Sequence, residues 1–266
     1  MVLKGGKIPI KIWNSNSLDV DENPTETIVD VLGYYWDKIK DRIRMKPKSL
    51  NIQIKEDLTK RVLASVVAKQ LWDPIGYTLP VSIKYRIDLQ SIWQQGFTWD
   101  EPVGKEYKDI WEFNIQQMQK LAEFDIDRCL KPVNAIGLPQ LHAVSDGGAS
   151  AYGTCVFLRW VTTDGIVLVF VAAKGFAASL KYKTIPRIEL MAVIAMCRLV
   201  LEIENALYYP IESRKFWIDS LVVLYWLHSL SSRFKPFVAS NLSEELRYVP
   251  SKNNPADSLT KPITCE

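Results

Sequence analysis

Apolar positions along this chain change their spacing about half-way. From about residue 57 to 125 they recur every three or four residues, the period of amphipathic helices. Val62, Leu63, Val66, Val67 and Leu71 form one stripe behind Thr59, which can cap it, and Trp72-Asp73-Pro74-Ile75-Gly76 stops it. A second helix is predicted near Pro80 to Gln94. A third carries Tyr107, Ile110, Trp111, Met118 and Leu121 on one face. Trp72, Trp93, Trp99 and Trp111 fall in this stretch, and at helical spacing they are expected in a core rather than as stacking platforms. Upstream, residues 1–30 are short apolar pieces broken by turn-forming runs, and Val31 to Trp36 reads as a strand.

Past a Pro/Gly-marked linker, Lys131 to Pro139, the period shortens to that of strands. Leu141–Asp146, Tyr152–Val161 and Ile166–Ala173 are predicted strands, the last two joined by a hairpin turn at Thr163-Asp164-Gly165. A long amphipathic helix follows from Pro186 to about Leu207, with proline suited to its first turn. Arg214–Asp219 reads as a fourth strand and Ser220–Leu230 as a helix. A helical segment through Ser243–Leu246 leads to a short fifth strand, Arg247–Pro250, and Asn254 can cap a last helix. The order βββαβαβα predicts an α/β fold, a mixed five-stranded sheet flanked by helices and preceded by a smaller, mainly helical region.

Composition adds bounds. With 266 residues and 48% apolar content, a sizeable core is available. No apolar run reaches eighteen residues and no secretory leader is evident, so the chain reads as soluble and intracellular. Cys129, Cys155, Cys197 and Cys265 are widely spaced, which fits reduced thiols better than disulfides or zinc. Net charge is only +3, yet residues 38–69 hold ten Lys/Arg against Asp41, Glu56 and Asp57. Such a block, which includes Lys46 and Lys48, can neutralise phosphates; a solvated face is an equal explanation.

Four carboxylates carry the candidate chemistry. Asp146 and Asp219 close predicted strands, Glu189 lies one turn into the long helix, and Asp257 opens the last one. Strand-end acids gather at the carboxyl edge of an α/β sheet. Singly, a strand-end Asp is a turn former and a first-turn Glu complements the helix dipole. Jointly, acids packed together raise one another's pKa unless cations compensate, and hard divalent ions favour oxygen ligands. The set therefore points to two-metal phosphodiester chemistry. Ser220 can cap its helix, and His142 and His228 read as core or surface residues.

At these positions the chain resembles the ribonuclease H domain of BEL/Pao retrotransposon reverse transcriptases. The resemblance runs densely through Asp146 with Ala151-Tyr152-Gly153, Ile185-Pro186-Arg187-Ile188-Glu189-Leu190-Met191-Ala192, Trp217-Ile218-Asp219-Ser220, Phe234 to Ala239, and Asn254-Pro255-Ala256-Asp257. More loosely, Asp73-Pro74-Ile75-Gly76, Gln90-Ser91-Ile92-Trp93 and Trp99-Asp100-Glu101 resemble the connection region of the same polyproteins, and Leu32-Gly33 with Trp36-Asp37 the tail of the polymerase palm. It divides the chain into a palm/thumb remnant with basic linker (1–55), a helical connection region (56–135) and a ribonuclease H-like domain (140–262).

The resemblance implies hydrolysis of the RNA strand of RNA–DNA hybrids. Asp146, Glu189, Asp219 and Asp257 would be catalytic residues and ligands of two Mg²⁺ ions, with Mn²⁺ as a substitute. Gly147, Gly148, Arg187, Ser220, Lys46 and Lys48 would contact nucleic acid. Other parts of a retroelement pol protein are expected partners, and a membrane is not. The polymerase's Tyr-x-Asp-Asp motif is absent, which excludes DNA synthesis by this stretch alone, and no Asp-Thr-Gly or Asp-Ser-Gly loop supports proteolysis. Asp146-Gly147-Gly148 replaces the group's Asp-Ala-Ser. The rival readings are a catalytically inactive remnant that binds nucleic acid or only folds, and an integrase-like nuclease, disfavoured because its glutamate typically comes last.

Overall fold

Five strands build the sheet that positions the acids. The computed structural model describes residues 14–17, 25–46, 58–70, 72–181, 183–229 and 246–265. Strands β5 (Ala135–Gly147), β6 (Ala151–Thr162) and β7 (Gly165–Ala177) form an antiparallel meander, and β8 (Ser213–Ile218) and β9 (Leu246–Tyr248) add in parallel. The order across the sheet is β7-β6-β5-β8-β9. Helix α4 (Ile185–Ala206) covers one face, burying Val193, Met196, Cys197 and Val200 against Leu141, Ala143, Val156, Leu158, Trp160, Phe216 and Ile218. Helix α5 (Leu221–Ser229) joins this layer through Val223.

The opposite face is closed by parts from both ends of the chain. Helix α1 (Lys60–Gln70), α2 (Leu79–Gln94) and α3 (Lys105–Lys120) form the helical region. Leu79 and Ile83 of α2 share a core with Val144, Ala151, Cys155 and Ala173 of the sheet and with Ala256 and Leu259 of the C-terminal segment. Main-chain bonds weld the contact: Ala173 N donates to Ile75 O at 2.7 Å, and Ile263 N to Pro80 O at 3.0 Å. The helical region is thus a layer of the fold.

Several expectations need correction. The apolar run at 31–36 is not one strand. It is a hairpin between β1 (Ile28–Val31) and β2 (Tyr34–Asp37), turned by Leu32 and Gly33 at φ 50° and 90°. Two left-handed residues match the twist of a two-residue hairpin, and glycine makes the second one easy. β3 (Arg42–Met45) and β4 (Asp125–Asp127) complete a second, four-stranded sheet that the sequence reading missed. The supposed linker at 131–139 is largely strand: β5 begins at Ala135, and a register shift between Ile136 and Gln140 accommodates Gly137 and Pro139. The last helix is a 3₁₀ turn, Pro255–Leu259, although Asn254 does cap it by accepting from Ala256 N at 2.9 Å.

Of the four tryptophans expected in a core, Trp111 is fully buried, while Trp72, Trp93 and Trp99 are 38–54% exposed. Trp93 and Trp99 pack edge to face with the Lys60 ammonium over both rings. All four cysteines are free; Cys155, Cys197 and Cys265 are buried and Cys129 is exposed. No described helix is long and apolar enough to cross a membrane. The predicted helical segment at 243–246 falls mostly outside the described residues, and Leu246 itself begins β9.

Candidate active site

The parallel register of β5 and β8 sets Ser145 beside Ile218. The next residue in the chain after each is an aspartate, Asp146 still on β5 and Asp219 just past the end of β8, so the two leave the carboxyl edge side by side. Glu189 reaches the same edge from the first turns of α4, because Gly147 lets the helix backbone approach the strand: a Cβ there would meet Glu189 N at 2.6 Å and Glu189 Cα at 2.7 Å. Asp146, Glu189 and Asp219 line one small crevice with Gly147 and Ser220. The fourth acid, Asp257, stands on the 3₁₀ turn, close enough for its charge to act on Asp146 but outside that lining.

Three of the four carboxylates have an internal partner. Thr260 Oγ1 donates to Asp146 Oδ2, and the Ser220 hydroxyl donates to Glu189 Oε2 at 2.5 Å. Asp257 Oδ1 pairs with Lys261 Nζ at 2.7 Å. Burial pushes Asp146 up to about 6, and the charges of Asp219 and Asp257 add to that rise against the Thr260 bond. Glu189 is raised as well, again first by burial and then by Asp219. Confinement and mutual repulsion therefore disfavour the charged acids, and a cation between them would relieve both.

Among the described residues, no three His, Cys, Asp or Glu side chains are already disposed around a metal-sized point. The donor set nevertheless fits a hard divalent ion: oxygen ligands only, from clustered carboxylates of which Asp257 is paired with Lys261. Each hydroxyl holds one oxygen of its acid, Asp146 Oδ2 and Glu189 Oε2, which leaves the second oxygen of each for a cation.

The expected nucleic-acid contacts divide. Arg187 is exposed on the first turn of α4. Gly148 donates its N–H to Ala151 O at 2.8 Å, so that donor is used by the turn. Ser220 is buried and its hydroxyl serves Glu189 and the start of α5, accepting from Val223 N at 3.3 Å, which makes it a positioning group rather than a nucleic-acid contact. Lys46 pairs with Asp30, and Lys48 lies outside the described residues, as does the phrase Phe234 to Ala239. Two more of the block's ten cations are paired within the protein, Arg42 with Asp125 and Asp127 and Arg61 with Asp100. Thr260 was not anticipated; only its place three residues after Asp257 could have signalled it.

A family model, the Pao retrotransposon-like RNaseH-like domain, matches residues 59–220. The chain belongs to that family. The matched stretch includes α1 to α3 together with β5 to β8 of the sheet, and it holds Asp146, Glu189 and Asp219. A search of curated proteins finds no match. Among solved structures, the foamy viral protease-reverse transcriptase dRH in complex with double-stranded DNA is similar at 14% identity and a TM-score of 0.50, over 86% of this chain and 38% of that one. RNase H1 from Halobacterium salinarum NRC-1 is similar at 20% identity and a TM-score of 0.29, over 46% of this chain and 95% of that one. LC11-RNase H1, solved with an RNA/DNA hybrid, gives 14% identity and a TM-score of 0.32, over 46% and 94%. The likeness to the foamy viral chain concerns the fold, a mixed sheet flanked by helices. This Pao-family chain is thus a retrotransposon-type RNase H-like protein.

Proposed function

We propose that this chain is a divalent-metal-dependent endonuclease for the RNA strand of RNA–DNA hybrids. The observation that carries the reading is the convergence of Asp146, Glu189 and Asp219 on one crevice at the carboxyl edge of the sheet. Asp146, Glu189 and Asp219 would hold Mg²⁺, or Mn²⁺ in its place, with Asp257 completing a second position. The ions would acidify a water and stabilise the leaving oxygen of the phosphodiester. The chain's own contributions are positional. Ser220 fixes Glu189, Thr260 fixes Asp146, and Gly147 sets the spacing between strand and helix. Exposed Arg187 beside Glu189 suits a hybrid phosphate. Selection of RNA would rest on 2′-hydroxyl contacts along the minor groove.

The test is Asp219→Asn. Mg²⁺-dependent cutting of a labelled hybrid should fall by at least about a hundredfold, the order of losses seen when a transition-state electrostatic group is removed. Hydrolysis at the original rate would sink the assignment.

The inactive-remnant reading draws support from one feature, the engagement of Asp146, Glu189 and Asp257 by Thr260, Ser220 and Lys261. Metal titration separates the two. Saturating Mg²⁺ or Mn²⁺ should raise the melting temperature by several degrees, since ligand at about a hundred times its Kd adds about 2.7 kcal/mol. A remnant's melting curve would not move.

A further inference from the structure

Strand β7 is one margin of the five-stranded sheet: β6 lies on its inner side, and none of the described strands lies on its outer side. Its two halves differ. Toward the acid-bearing end the outer edge is capped by α2 and the loop before it. Ala173 N donates to Ile75 O at 2.7 Å, Arg86 Nη1 to Gly175 O at 3.0 Å, and Gln90 Nε2 to Ala178 O at 2.5 Å. Toward the Thr163-Asp164 turn the edge is bare. Antiparallel pairing alternates, so counting from that turn Ile166, Leu168 and Phe170 direct their N–H and C=O away from β6. The same count, carried across the register shift between Val156 and Phe157, turns Ala173 N and Gly175 O outward, which is where Ile75 and Arg86 meet them. No described hydrogen bond reaches the outward groups of Ile166, Leu168 or Phe170.

The side chains add no protection. Gly165 to Ala173 reads Gly-Ile-Val-Leu-Val-Phe-Val-Ala-Ala, without a charge or a proline. Ile166 and Leu168 are each 62% exposed on the face away from α4, and Val167 is 38% exposed on the other face. Edge strands of soluble proteins ordinarily carry lysine, proline or a cover, and an apolar edge that lacks them attracts another strand. The bulge marked by the register shift falls where the two halves meet, and it leaves Gly165 to Phe170 regular.

We propose that this open half of β7 pairs antiparallel with the same half of a second copy of the chain, joining two five-stranded sheets across a two-fold axis. Self-pairing follows from the strand's own sequence. With the axis at Leu168, that residue faces its own copy, Ile166 faces Phe170, and Val167 faces Val169. Every side chain then meets an apolar one, and no charge is repelled or left unmatched. Ile166, Leu168 and Phe170 are also the residues with outward main-chain groups, and each such pair exchanges both N–H···O bonds. The length fits as well. The loop carrying Ile75 closes the edge at Ala173, and in this register Ala173 falls opposite Thr163, where the incoming strand has reached its turn. An acidic or basic segment would find no counter-charge on this strand, and nucleic acid would find no cation. The contact lies at the opposite end of the strands from the carboxylates, so it depends on neither metal nor hydrolysis.

Sedimentation of the full chain in EDTA, from about 1 to about 200 µM, should show a monomer passing to a dimer with a Kd of about 10 µM, the weak end expected of a small interface. The amides of Ile166, Leu168 and Phe170 should exchange about fivefold more slowly at the upper concentration, as groups protected by pairing do. Leu168→Lys sets two like charges face to face and should weaken dimerisation at least about tenfold. Ile166→Lys, at a second exposed position, should do the same and serves if the first variant does not fold. Ile136→Lys, on the same sheet face and 54% exposed but two strands in from the edge, should leave dimerisation unchanged. A chain that stays monomeric at the highest concentration would overturn the proposal. So would a dimer indifferent to both edge lysines, a dimer weakened equally by Ile136→Lys, which would mean packing through the sheet face, or growth past the dimer, the mark of a contact that does not close.

Discussion

Asp146→Asn should abolish hybrid hydrolysis and, in the absence of divalent ions, make the protein more stable at neutral pH. The two effects share one cause. Folding moves the Asp146 carboxyl from its ordinary value, 3.8, to about 6, chiefly by burial and then by Asp219 and Asp257. Between those values the folded chain binds a proton more readily than the unfolded chain, so stability falls as pH rises through the window. Above about pH 6 the whole destabilisation is present. Two pKa units correspond to about 3 kcal/mol, and partial solvation of the site reduces this to about 1–2 kcal/mol. The uncharged amide escapes that penalty, and its oxygen can still accept from Thr260.

Thermal melts in EDTA read the result directly. The parent chain should melt a degree or two higher at pH 5 than at pH 7.5, because about half of the destabilisation has already set in by pH 5. The Asn variant should gain most of that difference at pH 7.5 and lose most of its dependence on pH. Glu189 is shifted in the same direction and will keep a residue of the effect. With Mg²⁺ present the order should reverse, because a bound cation stabilises the parent and finds one ligand missing in the variant. An Asn variant no more stable than the parent in EDTA would mean that Asp146 is not frustrated, and the metal reading would lose its physical basis.

What the sequence made legible was whatever is written locally. The four acids stand in short phrases at the ends of apolar runs, and the alternation of β5, β8 and α4 was enough to bring Asp146, Glu189 and Asp219 to one edge. Features assembled across the chain stayed hidden. β3 pairs with β4 across some eighty residues, so neither short strand announces itself. The Leu32-Gly33 turn lies inside an apolar run, where periodicity cannot place a break. The two distributions of positive charge make the same point. The conspicuous block at 38–69 pairs Lys46, Arg42 and Arg61 with aspartates, and the sheet brings Arg159, Lys215 and Arg247, scattered in sequence, onto one face. A linear charge run is therefore a poor guide to where this fold presents charge.

Gly147→Ala should be among the most damaging single-methyl changes in the molecule, for reasons of distance alone. The added Cβ would lie 2.6 Å from Glu189 N, 2.7 Å from Glu189 Cα and 2.9 Å from Ile188 C. All three atoms are helix backbone, so no side chain can rotate aside. Either β5 or the start of α4 must move, and α4 is anchored by Val193, Met196 and Cys197 in the core. Overpacking of this kind costs typically 1–3 kcal/mol and occasionally more, and the rigidity of both elements places this case at about 3 kcal/mol. Chemistry should suffer more than stability. Displacing Glu189 by about 1 Å from Asp146 is enough to lose on the order of a hundredfold in rate. Gly104→Ala is the matched control, since nothing lies within 4 Å of its Cβ position, and it should change stability by less than about 0.5 kcal/mol. Urea unfolding of both variants beside hybrid cleavage at a temperature where both are folded would decide the matter. If Gly147→Ala kept full activity, the close approach of β5 and α4 would not be what sets the spacing of Asp146 and Glu189.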